Sequence, residues 1–287
     1  AQLKPNSVIQ ITVIQSILRF IFPLLLLWYL TPNHKYLLIG LALSYIIIPI
    51  FFFMKKKDRL NKLWSNFNNG NNDNNLILSK LFKYGFPLSL WLGIDLSLSF
   101  FDRFFIEYFY NYELTGIYAS FHDLVIRIFG ILLYPLALAS HPRIMFAWNN
   151  NNKSKAISIW RNAMQYQLAI FILFMTIIII FSQKIFMLIM IALPELNITY
   201  SYLLVPTLLG SFLWQFAILC HKPLEMDKRT SLMVTLMIIA LITNLFGNII
   251  FLPRYGIIAS AYTYIASGFI YIFLSIYFSR KKYKMML

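Results

Sequence analysis

"SFFDRFFIEYFYNYELTGIYASF", residues 99–121, sets Asp102 and Arg103 side by side in a run of phenylalanine, tyrosine and isoleucine. The flanks are apolar enough for lipid, where an ionised side chain is most costly. The part from Glu107 to Gly116 reads as a turn, so the stretch joins the end of one membrane helix to the start of the next. On a helix, neighbours diverge by about 100°. Asp102 therefore does not pair with Arg103. It shares a face with Asp95, two turns earlier, while Arg103 shares a stripe with Ser99 and Glu107.

The rest of the chain has the same character. Of its 287 residues, 60% are hydrophobic, 18% aromatic and only 12% charged. A soluble domain is about 45–50% apolar and about 25% charged, so lipid is the expected solvent, and the mean hydropathy of +0.68 agrees. The single cysteine, Cys220, excludes an intrachain disulfide framework and a Cys-rich metal site. The histidines, at 34, 122, 141 and 221, never fall at a metal-binding spacing. No metal, cofactor or catalytic residue is expected. The first residue is Ala1, which fits either removal of an initiator Met or a piece of a longer chain.

Eight apolar runs are long enough to span about 30 Å of hydrocarbon as helices. They are 8–30, 36–54, 84–106, 117–140, 163–183, 196–219, 230–252 and 256–279. The connection near 184–195 is the least distinct, because it is nearly as apolar as its flanks. Basic residues test the scheme. Of the 25 lysines and arginines, 19 fall in alternate connections and at the two ends, and only Lys35, Lys184 and Arg254 fall on the opposite side. That asymmetry is a positive-inside signal, and it predicts eight passes with both termini cytoplasmic. It also accounts for the +15 net charge as lipid-anchoring loops. A nucleic-acid partner is not expected.

One connection is long. "KKKDRLNKLWSNFNNGNNDNNLILSKLFK" (55–83) is basic at both ends and Asn-rich between, a composition that cannot bury a core and reads as a flexible linker. The expected organisation is two spans over 1–54, a cytoplasmic linker over 55–80 and six spans over 81–287.

Ionisable and polar residues inside the runs mark candidate sites. Asp95, Asp102 and Arg103 lie in the third run. Asp123 and Arg127, next to His122, lie in the fourth at a spacing that permits an ion pair. Thr12, Gln15, Ser16 and Arg19 form a stripe in the first. Asn244 and Asn248 repeat the spacing in the seventh, and Ser260, Thr263 and Ser267 line one side of the eighth. Two readings stand for these groups. They are glue between helices, with Arg103 reaching to the outer interface, or they line a watery cavity shared by the first, third and fourth runs. In such a cavity arginines bind phosphate bidentately, and a carboxylate takes up a proton.

"LFKYGFPLSL" (81–90), "FFDRFFIEYF" (100–109), "TGIYASFHDLV" (115–125), "HPRIMFAW" (141–148) and "TNLFGNIIFLPRYGIIASAYTYIAS" (243–267) follow one another in the order and spacing of a known family. They resemble the second half of the Wzx-type polysaccharide flippases of the multidrug/oligosaccharidyl-lipid/polysaccharide exporter superfamily. His141 replaces the family's usual Phe, Leu252 an Ile, and Ala259-Ser260-Ala261 its Gly-Ala-Ala. The resemblance covers about 80–287 well and 1–54 loosely.

That resemblance implies an all-α, polytopic membrane protein of two six-helix lobes around a cavity that opens alternately to each face. This chain would supply the last two helices of the first lobe and the whole second lobe, with about four N-terminal helices lacking. The implied cargo is a polyprenyl-pyrophosphate-linked oligosaccharide. It would cross from the cytoplasmic to the periplasmic leaflet of a bacterial inner membrane, for surface polysaccharide such as the O-antigen of lipopolysaccharide. The lipid bilayer, a polysaccharide polymerase and chain-length machinery are the implied partners. Arg19, Arg103, Arg127, Asn244 and Asn248 are the candidate cargo-binding residues, and Asp95, Asp102 and Asp123 the candidate ion-coupling residues. Trp91 and Tyr118 would stack on sugar faces. The alternative is a cation-coupled small-molecule or drug antiporter of the same superfamily. An integral-membrane glycosyltransferase or polymerase is disfavoured, because the chain has no Asp-x-Asp and no large outer loop.

Overall fold

In lipid a backbone must satisfy its own N–H and C=O groups, and a helix does so within a single segment. Every regular element of the computed structural model, which describes residues 5–29, 34–55 and 72–280, is accordingly helical. The helices are Pro5–Tyr29 (α1), His34–Lys55 (α2), Asn72–Phe109 (α3), Tyr112–Asn149 (α4), Lys153–Ile180 (α5) and Ser182–Ala192 (α6). A 3₁₀ segment, Ile198–Leu203, leads into Leu204–Cys220 (α7). Lys222–Met226 (α8), Thr230–Tyr255 (α9) and Ile258–Arg280 (α10) complete the chain.

The chain divides into two compact units, Ala1–Ser79 and Lys80–Leu287. In the first, α1 packs on α2. Gly40 makes the crossing possible: a Cβ there would lie 2.6 Å from the Pro23 Cα, so only glycine lets the two backbones approach. The expected linker over 55–80 falls largely outside the described residues, but its last part, 72–80, forms the first turns of α3.

In the second unit the connections follow from asparagine and glycine. Asn111 caps α4, its side-chain oxygen accepting from the Leu114 N–H at 2.9 Å. Asn152 caps α5 in the same way, and Asn151 takes a left-handed conformation at φ 58° in the tight turn before it. Gly256, at φ 77°, turns α9 into α10. α7 is the hub of the unit. The span that contains it, Ile198–Met226, has 72% of its apolar window buried, against 17% for α5. α4, α5 and α10 all pack on it, and α9 packs on α10. A helix apolar on every side and enclosed by others is a buried core helix.

Outward, the unit presents large apolar side chains such as Ile131, Phe146, Ile191, Phe269 and Phe273. Such a surface suits lipid and not water. Five stretches among the described residues are long and apolar enough to cross a membrane: Tyr112–Asn149, Lys153–Ile180, Ile198–Met226, Thr230–Tyr255 and Ile258–Ser279. They overlap the last five expected spans. The chain is an all-α, polytopic membrane protein. The indistinct connection near 184–195 proves to hold a short helix, α6, which follows α5 after a break at Phe181.

α3 stands apart from this packing. Its backbone makes no extended close approach to any other helix among the described residues. Long side chains hold it in place instead, and several of them are polar.

Candidate functional site

One face of α3 carries Tyr84, Trp91, Asp95 and Asp102, at spacings of seven, four and seven residues. Asp102 is fully buried. Its Oδ1 accepts from the side-chain amides of two residues on α9, Asn244 at 3.0 Å and Asn248 at 2.7 Å. Ser260, at the start of α10, donates to the Asn248 Oδ1 at 2.7 Å. The i,i+4 spacing on α9 thus aims both amides at one carboxylate oxygen. The other oxygen, Oδ2, has no hydrogen-bond partner.

Two more unpartnered groups lie near this cage. Tyr118 of α4 is fully buried with its hydroxyl unpaired, and it interacts electrostatically with Asp102. His122, one turn further on, stacks on Tyr118 at 5.4 Å and meets the Tyr264 ring edge-on at 5.1 Å. Neither of its ring nitrogens has a partner. Buried polar atoms are rarely left unpaired without a function or a bound species to account for them.

Arg103 points elsewhere, as helix geometry requires. It donates to Asp123 of α4 in an ion pair and lies over the Phe100 ring at 5.7 Å. This corrects two expectations. Arg103 does not extend alone to the interface, and Asp123 pairs with it and not with Arg127. Arg127 is exposed on α4. The Ser99 side chain lies outside the described residues.

The other candidates are distributed. Asp95 is half-buried and interacts electrostatically with Tyr271 of α10. Arg19 belongs to the first unit, where its guanidinium sits over the Tyr45 ring at 4.2 Å. Its stripe partners Thr12 and Gln15 lie among side chains outside the described residues. Asn244 and Asn248, expected to bind cargo, have their amides committed to Asp102, Ser260 and each other. Trp91 and Tyr118, expected to stack on sugars, are also engaged. The Trp91 indole N–H donates to the Tyr271 hydroxyl at 2.8 Å, and the Tyr118 face is taken by His122.

Sequence reasoning missed one set of residues. Lys222, counted as a loop cation, is buried and bonded to Glu225 at 2.5 Å. The i,i+3 spacing of "KPLE" (222–225) carried that signal. A groove of about 620 Å³ between α9 and α10, lined by Phe246, Ile250, Phe251, Ile258 and Tyr262 among others, has no charged side chain. Its polar side chains are the hydroxyls of Thr243, Tyr255, Tyr262 and Thr263.

No protein-family model matches this chain, and no curated protein matches it in sequence. Among solved structures it is similar to the outward-facing conformation of a multidrug resistance MATE family transporter of the MOP superfamily. The TM-score is 0.61 at 14% identity, over 98% of this chain and 63% of that one. The chain thus spans less than two thirds of the length of the structure it matches. At this identity the likeness is one of fold. It is compatible with the fold that the sequence resemblance implies. It does not single out the polysaccharide flippases, and the structure matched is of the multidrug class.

Proposed function

We propose that this chain is part of a cation-coupled transporter that exports a small molecule by alternating access. The observation that carries the reading is Asp102. A carboxylate wholly buried in a membrane bundle, held on one oxygen by two amides and unpartnered on the other, is an acceptor for a proton or a monovalent cation. The MATE-type fold supports the small-molecule class of cargo. Asp102 is the leading coupling residue and Asp95 the second. Asp123 is neutralised by Arg103 and acts in coupling only if that pair opens. In this reading the eight apolar runs are eight spans, with the basic connections on the cytoplasmic side.

A second reading, flipping of a lipid-linked oligosaccharide, is favoured by the five ordered stretches from 81 to 267 and by Arg19 and Arg127 as cations for a pyrophosphate. Since Arg103 is already paired, the cationic argument is weaker than the sequence alone made it. One experiment separates the readings. Cells lacking the gene are expected to become sensitive to cationic dyes, with wild-type but not Asp102→Asn protein restoring export. Accumulation of lipid-linked oligosaccharide without dye sensitivity would select the second reading. Full export by the Asp102→Asn protein would remove Asp102 from the coupling role.

A further inference from the structure

A second cluster of buried titratable groups lies at the opposite end of α4 from the Asn111 cap, at the end where the basic connections gather. Lys222 and Glu225 project from α8, the five-residue joint between α7 and α9, and both are buried. The Lys222 Nζ donates to the Glu225 Oε2 at 2.5 Å and to the Nδ1 of His141, on α4, at 2.9 Å. The same His141 nitrogen lies 3.7 Å from the other Glu225 oxygen. Tyr84 of α3 interacts electrostatically with Glu225, and His221, at the α7–α8 junction, with both Lys222 and His141. Arg143, on the same helix as His141, is exposed.

The donor and acceptor chemistry fixes the charge state. A lysine ammonium has only donors, so the contact at 2.9 Å requires a neutral imidazole presenting its Nδ1 lone pair. In that state the cluster is balanced, with one ammonium against one carboxylate. A proton on His141 puts two N–H donors and two positive charges face to face, and a buried cluster carries uncompensated charge at high cost. Lys222, with 5% of its side chain exposed, has nowhere to go. His141, 42% exposed, does.

We infer that His141, Lys222 and Glu225 form a proton-binding latch: neutral His141 fastens the basic end of α4 to the α8 joint, and protonated His141 releases it. The joint is wired further into the unit. His221, adjacent to Lys222, meets the Tyr271 hydroxyl of α10 at 3.1 Å, and that hydroxyl accepts from Trp91 of α3. Release at α8 therefore reaches the contacts that position α3 near Asp95. This site is separate from the Asp102 cage and does not depend on which cargo is carried.

The test reads conformation and not transport, so it stands or falls independently of the proposed function. Spin labels are placed on the intact protein in lipid nanodiscs at Phe146→Cys on α4 and Ser231→Cys on α9, both exposed positions; the native Cys220 is buried. Between about pH 8 and pH 5, where an imidazole titrates, the inter-label distance is expected to lengthen along a single-proton curve. His141→Gln, which keeps an acceptor for Lys222, holds the short distance throughout, and His141→Lys holds the long one. Lys222→Gln removes the opposing charge and abolishes the acid shift. A wild-type distance that ignores pH, or a shift that survives in either His141→Gln or Lys222→Gln, overturns the latch.

Discussion

Asp102 and Arg103 are adjacent in sequence and serve different neighbours, which is the direct consequence of a 3.6-residue turn. The divergence was legible in the sequence, and so was the Asn244–Asn248 spacing. The partners were not. Which helix meets which face is decided by packing, and the i,i+4 rule pointed Asp123 to Arg127 when α3 supplied Arg103 instead. The Arg103–Asp123 pair is partly exposed, at 24% and 42%. Its loss is therefore expected to fall between the values for surface and buried pairs, at about 1–3 kcal/mol. Asp123→Asn strands a guanidinium whose Nε already lacks a partner. The double variant Arg103→Gln/Asp123→Asn strands nothing. Thermal unfolding in detergent is expected to show the single variant less stable than the double, and equal or reversed stabilities would mean that the pair contributes little.

At the scale of elements, α9 and α10 form the most intimate crossing, and it positions half of the Asp102 cage. A Cβ on Gly247 would meet the Thr263 Cγ2 at 2.5 Å. Threonine is branched at Cβ and stiff, so it cannot step aside cheaply. Gly247→Ala is expected to separate the helices and cost about 1–3 kcal/mol, the usual range for overpacking, with part recovered in Gly247→Ala/Thr263→Ala. Melting curves of the three proteins check this, and an unchanged melting point in the single variant would show that the crossing is slack. The same separation would pull Ser260 from Asn248 and loosen the cage around Asp102. α3 is the contrasting element. It is tied to α4, α8, α9 and α10 by Arg103, Tyr84, Asp102 and Trp91 respectively, and not by backbone approach. Sequence hydropathy located this helix but could not show how loosely it is seated, because a charge in an apolar run looks the same whether it is glue or lining.

At the scale of the whole molecule, composition pointed to lipid as the solvent, and the last five apolar runs overlap the five long apolar helices among the described residues. Joint chemistry was the blind spot. "HKPLEMDKR" (221–229) reads as a basic loop, yet α8 within it is buried, since Lys222 and Glu225 neutralise each other. Removing Lys222 from the count of loop cations leaves the positive-inside asymmetry intact, because Lys228 and Arg229 remain in the same connection. The described turns alternate accordingly: Asn111 and Gly256 lie at one end of the second unit, Asn151 and Lys228 at the other. The Tyr110 hydroxyl bonds the Leu252 carbonyl at the first end, and His141 meets Lys222 at the second. This predicts the outcome of cysteine labelling from outside intact cells. Asn111→Cys is expected to react with a membrane-impermeant maleimide, Asn151→Cys to react only after the membrane is opened, and buried Cys220 to stay silent in both. Labelling of Asn151→Cys from outside would invert the unit and place the Lys222 cluster on the outer face, where the latch would sense acidity outside the cell and not within it.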